Sequence, residues 1–281
     1  MQQELRVSRG EPLVSRYVNQ KTHRVAVSRI DDIYRRLALD DDINELVTAV
    51  NLSAAIAQAG KKVLMVDLDP QGNTTSGLGR TVNERNSVYD AMMGRADLKH
   101  CIQSTAISKL TLIGADIRLA GAEVELVSVS DREYYLKKTL GVLRDEYDFI
   151  FIDCPPSLSL LTLNAMAAAD SVLVPIQCEY YALEGVTSLM NTINRVKRTF
   201  NPHLEIEGVL LTMYDGRTNL SMQVAEEVKR YFPGKVYTTK IPRNVRISEA
   251  PSYGQPITVY DAKSTGAESY RKLAEEVINR K

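Results

Sequence analysis

The chain carries no charge excess of either sign: Lys+Arg and Asp+Glu each number 35 in 281 residues. A protein without a global basic field can meet nucleic acid only through a local patch. Cysteine is scarce as well. Cys101, Cys154 and Cys178 are too few and too widely spaced for a disulfide framework or a CxxC metal pair, which predicts a reducing, cytoplasmic setting. His23, His100 and His203 lack metal-ligand spacing, and none sits near Ser157 or Cys154 in a context that suggests nucleophilic catalysis. No apolar run approaches the ~18 residues of a transmembrane helix, and the polar N-terminus lacks the apolar core of a signal peptide. The last absence is local: no glycine occurs between Gly10 and Gly60.

What is present is organised around Lys62-Val-Leu-Met-Val-Asp-Leu-Asp-Pro-Gln-Gly-Asn. A short apolar run ended at once by turn residues reads as a buried parallel strand. Asp67 and Asp69 then fall at its carboxyl end, where open α/β sheets bind their ligands. Asp148-Phe-Ile-Phe-Ile-Asp-Cys-Pro-Pro repeats the arrangement, with Asp153 ending a second apolar run. Either aspartate alone is an ordinary turn residue. Two strands that each deliver a carboxylate to one edge point to a metal-phosphate site. Pro70 and a polar, Gly-rich turn follow Asp69, and Gly77-Leu-Gly-Arg-Thr, which imitates the tail of a P-loop, also reads as a turn.

Strand-like and helix-like stretches alternate through the rest of the chain. Helical spacing covers 43–59, 88–93, 117–129, 132–144, 158–169, 182–199, 221–231 and 267–279; apolar strand runs cover 110–113, 149–153, 171–177, 206–213 and 236–241. This alternation predicts an α/β fold with a mostly parallel, doubly wound sheet flanked by helices. Before residue 48, weak strands over 11–18 and 24–30 and a helix starting at Asp31-Asp32 are expected. Asp40-Asp41-Asp42 suits the amino end of the next helix.

From Thr48 onward the wording closely resembles the ParA/Soj family of chromosome and plasmid partition ATPases, in the deviant Walker A group of P-loop NTPases. The matching segments include Thr48-Ala-Val-Asn-Leu, Asp67-Leu-Asp-Pro-Gln-Gly-Asn-Thr-Thr-Ser-Gly-Leu-Gly, Leu119-Ala-Gly-Ala-Glu and Phe151-Ile-Asp-Cys-Pro-Pro-Ser-Leu. They continue with Gln177-Cys-Glu-Tyr-Tyr-Ala-Leu-Glu-Gly, Leu211-Thr-Met-Tyr-Asp-Gly-Arg-Thr, Ile241-Pro-Arg-Asn-Val-Arg and Glu249-Ala-Pro-Ser-Tyr-Gly. The resemblance implies ATP and Mg²⁺ as cofactors, with Asp69 orienting the attacking water and Asp153 binding Mg²⁺ directly or through water, supported by Asp67. It places Thr48, Met213, Pro242 and Arg243 at the nucleotide, and Arg217 and Arg246 on DNA bound without sequence preference. It also implies a homodimer, a ParB-type centromere-binding partner that stimulates hydrolysis, and a cytoplasmic, nucleoid-associated location. A membrane partner of the MinD kind is not expected, because no basic, apolar extension follows the C-terminal helix stripe of Tyr270, Leu273, Val277 and Ile278.

The resemblance fails at one place. The family's phosphate loop, KGGVGKTT in one-letter code, directly precedes the segment matched by Thr48. Aligned without gaps, Glu45 stands where the phosphate-binding Lys belongs, Leu46 at the Mg²⁺-binding Thr and Asn44 at a Gly. A phosphate cradle needs inward-turned amides in conformations that only glycine adopts cheaply. Residues 1–47 therefore read as a divergent segment replacing the first strand and P-loop, and 48–281 as the ParA/Soj-like domain. Asn19-Gln20-Lys21 matches the residues ahead of the missing glycines, which makes Lys21 the candidate signature lysine. Two functions follow: an Mg²⁺-dependent partition ATPase, or a pseudo-ATPase that keeps the fold and DNA patch without the switch.

Overall fold

The computed structural model describes residues 24–28, 42–155, 159–179 and 182–280. Within them lies one eight-stranded sheet in the order β3-β4-β2-β5-β1-β6-β7-β8. The strands are β1 (Arg24–Ser28), β2 (Val63–Asp67), β3 (Ile102–Ser104), β4 (Leu110–Ile113), β5 (Phe149–Asp153), β6 (Ser171–Gln177), β7 (Glu205–Tyr214) and β8 (Val236–Pro242). Every pairing is parallel except that of β3 with β4 at one edge. The expected mostly parallel α/β sheet is what forms.

Helices α1 (Asp42–Gln58), α2 (Asn73–Gly77), α3 (Val88–Met92) and α4 (Leu98–Cys101) precede β3. Next come α5 (Leu119–Leu126), α6 (Tyr135–Leu140), α7 (Leu160–Ala168) and α8 (Ala182–Thr199). The chain continues through α9 (Asn219–Tyr231), α10 (Val245–Glu249), α11 (Ile257–Tyr260) and α12 (Thr265–Asn279). Side chains alternate across each strand, so the sheet feeds two cores. Val63, Met65, Phe149, Phe151 and Leu210 pack under α1 and α12 with Tyr270, Leu273 and Val277. Leu64, Val66, Ile150, Ile152, Val209 and Leu211 pack on the opposite face, against α3 and α5 to α9.

Two readings of the sequence need correction. The helix expected over 132–144 is divided, with 3₁₀ turns at Arg132–Tyr134 and Gly141–Leu143 on either side of α6. Asn164 causes the break at its start: its Oδ1 accepts from the Leu136 amide at 3.1 Å and its Nδ2 donates to the Arg132 carbonyl at 2.8 Å. These side-chain bonds take the place of intrahelical ones. The stretch read as a turn after Asp69 is largely the helix α2, entered through Gly72 and left through Gly79, both with φ of 65°.

The middle of the sheet holds the largest surprise. Residues 24–28, expected as a weak strand over 24–30, form β1 between β5 and β6. Helix α1 then runs across position 47/48, and its residues Val47 to Ala57 are buried. The strand expected over 11–18, the helix starting at residue 31 and Lys21 lie outside the described residues.

Candidate functional site

Parallel pairing of β2 with β5 sets Asp67 opposite Asp153, both at the carboxyl end of their strands and both fully buried. Two buried like charges side by side require either a shared proton or a cation. Hydrogen-bond donors approach from the segment that follows β2 and from α2. Asp67 Oδ2 accepts from the Thr75 amide at 2.8 Å and the Thr75 hydroxyl at 2.7 Å, and Oδ1 accepts from the Asp69 amide at 3.1 Å. Asp153 Oδ2 accepts from the Thr74 hydroxyl at 2.7 Å. Helix α2 is thus anchored on the carboxylate pair by consecutive threonines. The Thr75 hydroxyl also accepts from the Ala115 amide at 3.0 Å, which ties the segment after β4 to the same point.

These donors do not outweigh the desolvation. Burial, and secondarily the charge of Asp153, push the Asp67 carboxyl from its ordinary 3.8 up to about 7 against the lowering effect of the bonds from Thr75 and Asp69. Asp69 lies beside the pair, nearly buried, its Oδ1 accepting from the Gln71 amide at 2.9 Å. The structure therefore sets Asp67 beside Asp153, as the strand reading anticipated, while Asp69 joins them through its backbone amide on Asp67.

This donor set fits a hard cation such as Mg²⁺, which takes one or two carboxylates and keeps several waters rather than demanding an all-protein cage. Among the described residues no three His, Cys, Asp or Glu side chains gather as a complete cage. The phosphate half is different. No glycine lies between Gly10 and Gly60, so the sequence leading into α1 lacks the residue that turns backbone amides inward cheaply. The described residues of that region do not fit a polyphosphate.

The remaining site candidates fall elsewhere. Thr48 is fully buried within α1, its hydroxyl 3.3 Å from that of Tyr270, away from the carboxylates in bonding terms. Met213 stands near the end of β7 with φ of 51°, a left-handed backbone that a non-glycine residue seldom adopts. Pro242 ends β8 opposite Tyr214, and Arg243 follows, its amide donating to the Tyr214 carbonyl at 3.4 Å and its guanidinium paired with Glu179. These three share the β7–β8 edge. Arg217, in the turn between β7 and α9, and Arg246, in α10, are both exposed.

Thr74 and Thr75 were not anticipated as site residues. The signal was available: two aspartates expected at buried strand ends need donors, and the nearest hydroxyls in sequence are these.

The chain is matched over residues 45–206 by the AAA domain family. It is 56% identical over 236 residues to the sporulation initiation inhibitor protein Soj of Bacillus subtilis, covering 84% of this chain and 93% of that protein. It is 50% identical over 242 residues to the chromosome partitioning protein ParA of Caulobacter vibrioides, covering 85% and 90%. A solved structure of cobyrinic acid a,c-diamide synthase from Mycobacterium smegmatis, with bound ATP analog and magnesium, superposes with a TM-score of 0.77 at 35% identity, covering 90% of this chain and 93% of that one. The same α/β framework carries the paired aspartates here. With these partition proteins matched over most of their own length, the chain belongs to the ParA/Soj family of partition ATPases.

Proposed function

We infer that the chain acts in chromosome or plasmid partition as a cytoplasmic, nucleoid-associated homodimer that binds DNA without sequence preference and answers to a ParB-type centromere-binding partner. The observation that carries this reading is the intact edge of the sheet: Asp67 and Asp153 in register, with Asp69 beside them and α2 fixed on them by Thr74 and Thr75. In this reading Asp153 and Asp67 hold Mg²⁺ and Asp69 orients water. Mg²⁺, when bound, supplies the positive charge that phosphoryl chemistry needs. The neighbouring fold that holds an ATP analog and magnesium supports the same cofactors. Met213, Pro242 and Arg243 line the side where the base belongs, and Arg217 and Arg246 take the DNA phosphates.

One observation favours a second reading. Glu45 stands in place of the phosphate-binding Lys, with no glycine nearby. A protein with a cation edge but no phosphate grip is a pseudo-ATPase, a DNA- or partner-binding regulator that lost the nucleotide switch with its P-loop. Calorimetric titration of the folded chain with Mg-ATP separates the two. Micromolar binding supports the partition ATPase and makes Lys21 the first residue to replace. No binding, with DNA binding retained, leaves the pseudo-ATPase. Loss of both from a folded protein overturns the partition reading for this chain.

A further inference from the structure

Both arginines assigned to DNA are already occupied. The Arg217 guanidinium is 89% exposed, yet it forks onto Asp215 with Nε donating to Oδ1 at 2.9 Å and Nη2 to Oδ2 at 2.8 Å. Asp215 is fixed from the other side: its Oδ1 also accepts from the Arg217 amide at 3.0 Å. Its carbonyl accepts from the Thr218 amide at 3.1 Å and the Thr218 hydroxyl at 3.0 Å, and Thr218 in turn caps α9. Arg246 repeats the pattern on α10. Its Nη1 donates to Glu249 Oε2 at 2.9 Å, with Asp261 behind it at 3.9 Å, and the Tyr260 hydroxyl donates to the same Glu249 oxygen at 3.2 Å.

A carboxylate and a phosphate present the same forked acceptors to a guanidinium. An ion pair this exposed is weak in water, so a phosphate can displace the carboxylate. The displaced carboxylate stays nearby, and its charge opposes the incoming backbone. The chain has a formal net charge of zero, so no distant field makes up for the loss.

We propose that Asp215 and Glu249 are carboxylate latches that compete with DNA phosphates for Arg217 and Arg246, holding the DNA patch of a single protomer near neutrality. This rests on the reading of those two arginines as DNA contacts, and it names how that contact is restrained. Each protomer then gains little from releasing counterions at these positions.

The test uses the full chain and a duplex of arbitrary sequence, with affinity measured across a salt series. Asp215→Asn is the informative change, because its Oδ1 can still accept the Arg217 amide and keep the turn while the charge is removed. Glu249→Gln is an independent second variant on another element. Each should bind DNA roughly 3–10-fold more tightly at low salt, with a salt slope steeper by about one released ion per freed arginine. Asp215→Glu, which keeps the charge, should gain less than the Asn variant. Arg217→Ala and Arg246→Ala should weaken binding. If both arginine variants weaken binding but neither latch variant strengthens it, the carboxylates orient the arginines and the latch is overturned while the DNA reading stands. If the arginine variants bind as the parent does, the DNA reading falls and the latch falls with it.

Discussion

Thr75 makes three hydrogen bonds through its backbone and hydroxyl, two to Asp67 and one from Ala115, all in a buried setting. Replacing it by Val keeps the volume and removes the hydroxyl, leaving a buried carboxylate short of a donor at a cost of about 1–3 kcal/mol. Thr75→Ser should restore most of that in a denaturant titration. Asp67 itself predicts a pH dependence. Its carboxyl titrates near 7 in the folded chain against 3.8 in the unfolded one. The folded state therefore binds the proton more tightly, and the stability this provides is complete below pH ~4 and lost as pH rises through about 7. A cation that replaces the proton reverses the trend. Mg²⁺ should raise the thermal midpoint at about pH 8 and do little at about pH 5, because at the lower pH the proton already occupies the site. A midpoint that responds to Mg²⁺ equally at both values would remove Asp67 from the cation site. At this scale the three aspartates were legible, since a carboxylate ending an apolar run is a local pattern. The threonines were not, since their role depends on α2 folding back over two strands.

Elements tell the same story with a longer reach. Strands β2, β5 and β6 were legible because each is a short apolar run of the right length between turn residues. Helix α1 is buried from Val47 to Ala57, between the sheet and α12, and two of its buried polar groups reach distant partners: the Thr48 hydroxyl lies 3.3 Å from that of Tyr270, and Asn51 Oδ1 accepts from the Ile257 amide at 2.6 Å. No periodicity encodes such a bond. The clearest case is a contact between two glycines. Gly79, just past α2, and Gly254, closing the 3₁₀ turn Ala250–Tyr253, both have positive φ and meet backbone to backbone. A Cβ on Gly254 would lie 2.7 Å from the Gly79 Cα, and the nearby atoms are backbone, which cannot swing aside. This pair binds the loop that carries the site to the segment that carries Arg246. Gly254→Ala should cost about 1–3 kcal/mol from the left-handed backbone alone, with the clash added. Chemical unfolding would measure it, and a loss below ~0.5 kcal/mol would mean that the segment relaxes away from α2.

At the scale of the whole molecule, the sheet depends on a strand that lies ahead of the matched family residues 45–206. The family match starts at residue 45, yet β1 lies between β5 and β6, and Ala26 is paired with Phe151 on one side and Ser171 on the other. Without β1 the sheet would divide into β3-β4-β2-β5 and β6-β7-β8, each with a new unpaired edge at the centre of the protein. Proline tests this directly, because it removes an amide from the ladder and is poorly tolerated where a strand is paired on both sides. Ala26→Pro should destabilise by about 3 kcal/mol or more, enough to remove much of the stability of an ordinary domain. Gln103→Pro in β3, an antiparallel edge strand paired on one side alone, should cost far less. Circular dichroism melts of the two variants decide the matter. A chain that unfolds at the parental temperature with proline at 26 would mean that β5 and β6 do not need this strand between them. The carboxylate edge would then rest on β2, β4 and β5 alone. A collapse confined to the residue 26 variant would show that β1 holds the two halves of the sheet together.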